Sequence, residues 1–210
     1  MKKVLVVVAA LVLATSVGAF AATSATNAAT VAPTLNVTAT VQSAVSLTLS
    51  AGTSAASVHC ALTPGAGSPD YTMDFGTVDA LGINASNCNK IAPATPGTSN
   101  AIYWSDYTVT PVYTSQAATS NTTVTAQVTT DFATSNIFVV RSATATSSTV
   151  PTVDTDFAAL STGSADAISA TGVASGTALT RFLGVAVKPT NGATDAGAKT
   201  ATVTFTLTVN

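Results

Sequence analysis

Charge is the scarcest property of this 210-residue chain. Asp, Glu, Lys and Arg together make up 8% of it, and every acid is an aspartate, because glutamate is absent. Freely diffusing proteins carry about a quarter charged residues, so this surface must be covered by something other than charge. Beyond Ala21 only Lys90, Arg141, Arg181, Lys188 and Lys199 are basic, against nine aspartates, a net charge of −4. Five scattered cations cannot build a phosphate-binding face, which excludes nucleic acid and acidic membrane surfaces as partners. With one histidine, two cysteines and one tryptophan, the chemistry-bearing residues are also few. Glu, Lys and Arg are the usual formers of surface helices, so their scarcity argues against helical architecture as well.

What is abundant is threonine and alanine, 40 residues of each, followed by Val and Ser. Thr and Val are stiff at χ1 and fit a pleated surface, so the composition predicts strands. A surface of hydroxyls in place of charges suits a protein that covers itself with copies of itself. Three N-x-S/T sequons, at Asn36, Asn84 and Asn121, are acceptors only where a glycosylation machinery exists.

The first 21 residues read as a secretory signal. Lys2 and Lys3 form a positive start, Val4–Ala14 an eleven-residue apolar run, and Ala19-Phe20-Ala21 a small-x-small cleavage site. A membrane span needs roughly 20 consecutive apolar residues, and this run breaks at Thr15-Ser16. The expected destination is extracellular, at the cell surface. In such a compartment Cys60 and Cys88 are expected to form one structural disulfide, closing a loop of 28 residues. No CxxC spacing or clustered ligand set points to redox chemistry or a metal.

Residues 22–34 are small, polar and low in complexity, and are expected to form a flexible leader. From Leu35 a period of two begins. Leu35, Val37, Ala39, Val41, Val45, Leu47 and Leu49 occupy one face, with Asn, Thr, Gln and Ser between them. That pattern predicts a strand, yet fifteen residues exceed the ordinary five or six. Either the chain turns near Ser43, or part of this segment pairs elsewhere. Further strands are expected at Tyr71–Val78, Tyr103–Tyr113, Thr122–Thr129, Ile137–Arg141, Arg181–Lys188 and Thr200–Asn210. Pro111 implies an edge or a bulge. Ser142–Thr180 reads as long loops, with one short strand or helical turn near Asp156–Leu160. The sum predicts a single all-β domain over residues 35–210, a β-sandwich.

No catalytic constellation emerges. His59 is the only histidine, and beside Cys60 it reads as a solvated loop residue; no GxSxG motif accompanies it. Asp154 and Asp156 could ligate calcium but lack the further oxygen spacing of a calcium loop. Trp104, with Tyr103 and Tyr107, could form a sugar-stacking platform. Along a strand, however, the tyrosines share one face and the tryptophan takes the other. The expectation is therefore a structural protein, not an enzyme, with no cofactor and no metal.

The order Cys60, then Asp74-Phe75-Gly76-Thr77-Val78, then Cys88, then Tyr107-Thr108-Val109, and finally an alternating Thr-Val strand resembles the spore coat protein U and chaperone–usher pilin families. That resemblance implies an incomplete immunoglobulin-like sandwich, completed by a strand donated from a neighbour's N-terminal extension. It also implies a periplasmic chaperone and an outer-membrane usher as partners. In this sequence Leu35, Val37, Ala39 and Val41 would be the donor residues. Strand addition to an open sheet edge is a recognised mode of association. The expected role is a subunit of an extracellular pilus or filament, a homopolymer joined by donor-strand exchange. The alternatives are a secreted carbohydrate-binding or adhesive module, or a passive coat protein.

Overall fold

The computed structural model describes residues 38–39, 45–54, 58–67, 69–84, 86–114, 122–190 and 196–209. The chain divides into two compact units, Met1–Val41 and Gln42–Asn210, and every element below belongs to the second. The signal segment 1–21, the leader 22–34 and the donor residues Leu35, Val37 and Val41 lie outside the described residues; Ala39 is described and lies in no strand.

All the described strands pair antiparallel. They are β1 (Val45–Ala51), β2 (Leu62–Pro64), β3 (Tyr71–Met73), β4 (Asn89–Ile91), β5 (Ala101–Tyr113), β6 (Thr123–Thr130), β7 (Ile137–Ser142), β8 (Phe157–Ala159), β9 (Asp166–Ala167), β10 (Leu179–Val187) and β11 (Thr202–Thr208). A 3-10 turn, Asp154–Asp156, precedes β8. The large sheet runs β1-β5-β10-β7-β8, with β4 also on β5; a smaller sheet runs β11-β6-β9, and β2 and β3 form a hairpin. The all-β expectation holds.

Strand β5 is the axis of the large sheet. One side of it pairs with β10 over Ala101–Val109; the other carries β4 at Ile102–Trp104 and β1 at Tyr107–Tyr113. Tyr107 and Val109 of β5 face the small sheet. They join Val139 with Val124, Ala126 and Val128 of β6 in one buried cluster, so the two sheets share a core. In the first half of β5 the even-numbered residues are buried too: Ile102 and Trp104 pack with Val140, Phe157, Phe182 and Ala186. A strand buried on both faces loses its polar alternation, which is why YWSDYTV does not read as half-exposed.

One expected strand shortens on folding. The strand anticipated over Tyr71–Val78 stops at Met73. Asp74 Oδ1 accepts the Gly76 N–H at 2.8 Å, and Gly76 sits at φ 69°. A side chain bonding its own backbone two residues on makes a turn, not a ladder. Pro111 lies in a paired strand, opposite Leu47. β10 ends its pairing at Val109, so on that side Pro111 is locally at an edge, and its carbonyl accepts the Gly176 N–H at 2.7 Å. The Ser142–Thr180 segment contains the expected turn and short strand near Asp156, and adds β9.

Candidate functional site

The small sheet ends in β11, which pairs only with β6, and the large sheet ends in β1, which pairs only with β5. These two terminal strands lie beside each other. Among the described residues neither has a partner on its outer edge. Both alternate as the threonine-valine pattern demands, yet their inward residues are only half-buried: Leu47 and Leu49 on β1, and Val203, Phe205 and Leu207 on β11. One strand further in, Val109, Val124 and Ala126 are almost fully enclosed. Among the described residues the common core therefore thins at one side, along a seam with two unpaired strand edges and five half-covered apolar side chains. The Tyr107 and Phe205 rings close part of it, edge to face at 5.5 Å between centroids.

A second constellation sits where β5 changes partners. Between β4 and β1, opposite Ser105 and Asp106, no strand pairs. The gap is bridged by side chains. Ser105 Oγ accepts the Cys60 N–H at 3.0 Å. Asp106 Oδ2 accepts the Ser54 N–H at 2.9 Å, and Oδ1 lies 2.6 Å from His59 Nδ1. Burial pushes the Asp106 carboxyl upward, but the Ser54 and His59 hydrogen bonds outweigh it and hold the group below the ordinary carboxylate value. Gly52 has room for no side chain, because a Cβ there would overlap the Asp106 carboxylate. His59 is an exposed loop residue, as expected from sequence, but one of its ring nitrogens is tied to a fully buried acid. The signal was Asp106 itself, a charge inside an apolar run, which must find a partner to be buried at all.

Cys60 and Cys88 form the expected disulfide, with Cα atoms 4.8 Å apart. It lies one residue from His59 and one from β4, so it fastens this bridging strap to the sheet. With Ser54 and His59 both turned onto Asp106, the cluster ties segments together.

The other candidates resolve into structure. Trp104 is 4% exposed, edge to face with Phe182 at 5.6 Å, while Tyr103 and Tyr107 are enclosed on the opposite face. The faces are as the alternation predicts, but none of the three rings reaches solvent, so they form no stacking platform. The Asp156 carboxylate accepts the N–H groups of Thr152 and Val153 at 2.8 and 3.1 Å, which start the turn before β8. Those backbone bonds, first among the causes, hold it below the ordinary value. Among the described residues no three acidic, His or Cys side chains converge as metal ligands. Arg181, buried beside Tyr107, donates through Nε to the Ile168 carbonyl and so links the large sheet to the segment after β9.

The chain matches no family model, no curated protein and no solved structure.

Proposed function

We propose that this chain is a structural subunit of an extracellular pilus or filament, joined to its neighbours by donated N-terminal strands. The observation that carries this reading is the half-open seam between β1 and β11. A strand laid into it would satisfy two unpaired edges and cover Leu47, Leu49, Val203, Phe205 and Leu207 in one step. The Leu35–Val41 segment of a neighbouring copy has the matching pattern. Leu35, Val37, Ala39 and Val41 share one face, and each larger side chain buried contributes about 1.5–3 kcal/mol. The sandwich so completed would be immunoglobulin-like. A chain exported with such an edge exposed needs protection before assembly, the role a chaperone and usher would fill.

The test is a double variant of the full chain. Val37→Asp with Val41→Asp places two charges on the inserted face. The expected result is a folded monomer where the parent forms thin fibres resistant to SDS, seen by electron microscopy and gel mobility. Undiminished fibres from the double variant would overturn donor-strand assembly, and ordered sheets without fibres would favour a passive coat.

A further inference from the structure

Beside β4 the chain builds one loop with unusual care and then leaves its two largest side chains in water. Asp79 Oδ1 accepts the Leu81 N–H at 2.7 Å, Oδ2 accepts the Asn84 N–H at 2.6 Å, and both oxygens lie within 3.2 Å of the Ile83 nitrogen. The Tyr103 hydroxyl lies 3.1 Å from Oδ2 and accepts the Asp79 N–H at the same distance. Lys90 Nζ reaches the carbonyls of Ile83 and Asn84, each at 3.4 Å. Gly82 takes φ 67°, with the Ala92 Cα only 3.0 Å from where a Cβ would stand. The backbone is thus fixed at almost every residue. Leu81 is nevertheless 53% exposed and Ile83 70%. A loop that merely connects needs no such order. Rigid aliphatic anchors beside a cation are what a binding surface uses, since the entropy of ordering is already met.

An open recess of about 510 Å³ lies along β7 and β8, with half-buried Phe138 in its wall beside Asp131 and Lys188, and with Ile137, Val139 and Leu160 buried behind it. Lys188 is packed over the Phe138 ring at 5.5 Å, whereas Asp131 is exposed. The loop stands at the β4 side of the large sheet and the cavity at the β7–β8 side. A protrusion and a recess on opposite edges make a head-to-tail contact, which propagates and does not close on itself.

We propose that Leu81 and Ile83 of one copy seat in the β7–β8 recess of the next, with Lys90 meeting Asp131 across the contact. This rests on the homopolymer reading and adds to it a second contact, independent of the donated strand.

The full chain is tested as Leu81→Asp with Ile83→Asp, as Asp131→Lys, and as Asp131→Lys with Lys90→Asp. Self-association is measured by sedimentation, and fold by far-UV circular dichroism and thermal midpoint. Loss of the loop anchors is expected to weaken association on the order of thirtyfold or more, the size of an interface hot spot, with the midpoint unchanged. Asp131→Lys is expected to weaken it less, and the charge exchange to recover most of that loss. Unchanged association of the loop variant, or no recovery in the exchange, overturns the contact. If the loop variant fails to fold, the charge exchange decides alone. Fibres that survive Asp131→Lys and the loop change but vanish with Val37→Asp/Val41→Asp leave strand donation standing and this contact refuted. The reverse pattern refutes strand donation and keeps the contact, and a parent chain that stays monomeric refutes both. Binding of the loop to a different protein, with no self-association, also overturns it.

Discussion

Asp106 concentrates the residue-scale physics of this protein. A buried carboxylate is tolerable only while its partners remain, and here they are the Ser54 backbone and the His59 ring. Asp106→Ala should therefore cost on the order of 2–4 kcal/mol, since it orphans donors in a gap where no strand can replace them. A urea midpoint lowered with an unchanged m-value would show it. The same carboxyl sets a pH dependence. Its folded pKa lies below the ordinary value, so its contribution is complete above about pH 4, the unfolded value, and is lost as pH falls through the folded one. Asp79 and Asp166 act in the same direction. Acid should destabilise the domain, and Asp106→Asn should reduce the slope of the midpoint against pH below 4. Gly52→Ala should be as damaging as a core overpacking, about 1–3 kcal/mol, because the new methyl must displace the Asp106 carboxylate.

At the scale of elements, the sequence was readable where one face meets water and the other meets core. The alternation of Thr200–Asn210 announces β11, and that of Thr122–Thr129 announces β6, within a residue or two. The same signal failed for Tyr71–Val78, where Asp74 and Gly76 form a turn inside an otherwise strand-like run. Strand β10 illustrates a constraint that periodicity cannot express. Gly184 lies opposite both Trp104 and Val140, and a Cβ on it would stand 2.6 Å from the Tyr103 carbonyl oxygen and 3.0 Å from the Trp104 Cβ. Gly184→Ala should push β10 away from β5. A loss of about 1–3 kcal/mol is expected, with amide exchange accelerating first in Leu183–Val185.

For the molecule as a whole, the Cys60–Cys88 bridge holds the strap that fills the break between β1 and β4. Reduction should cost roughly 3–4 kcal/mol on the loop-entropy view. Thiol reductant should lower the thermal midpoint, and its effect should fall mainly on the edge formed by residues 52–54 and 58–60, β4 and β1. That edge also includes one wall of the seam proposed to receive a neighbour's strand. Reduced protein is accordingly expected to assemble poorly even at temperatures where the remaining sheet is intact, which fibre yield with and without reductant would measure.

Composition and periodicity by themselves determined the all-β class and the alternating faces of the terminal strands, because both are local consequences of χ1 stiffness and a repeat of two. Even cysteine count and an export-like leader sufficed to anticipate the bridge. Tertiary structure alone decided that Trp104 is core, that His59 is tied to a buried acid, and that Leu81 and Ile83 are held outward on a rigid loop. It alone left the core thin between β1 and β11. Each of these depends on which strands become neighbours across tens of residues, and burial, unlike strand propensity, is a property of that meeting and of no segment taken singly.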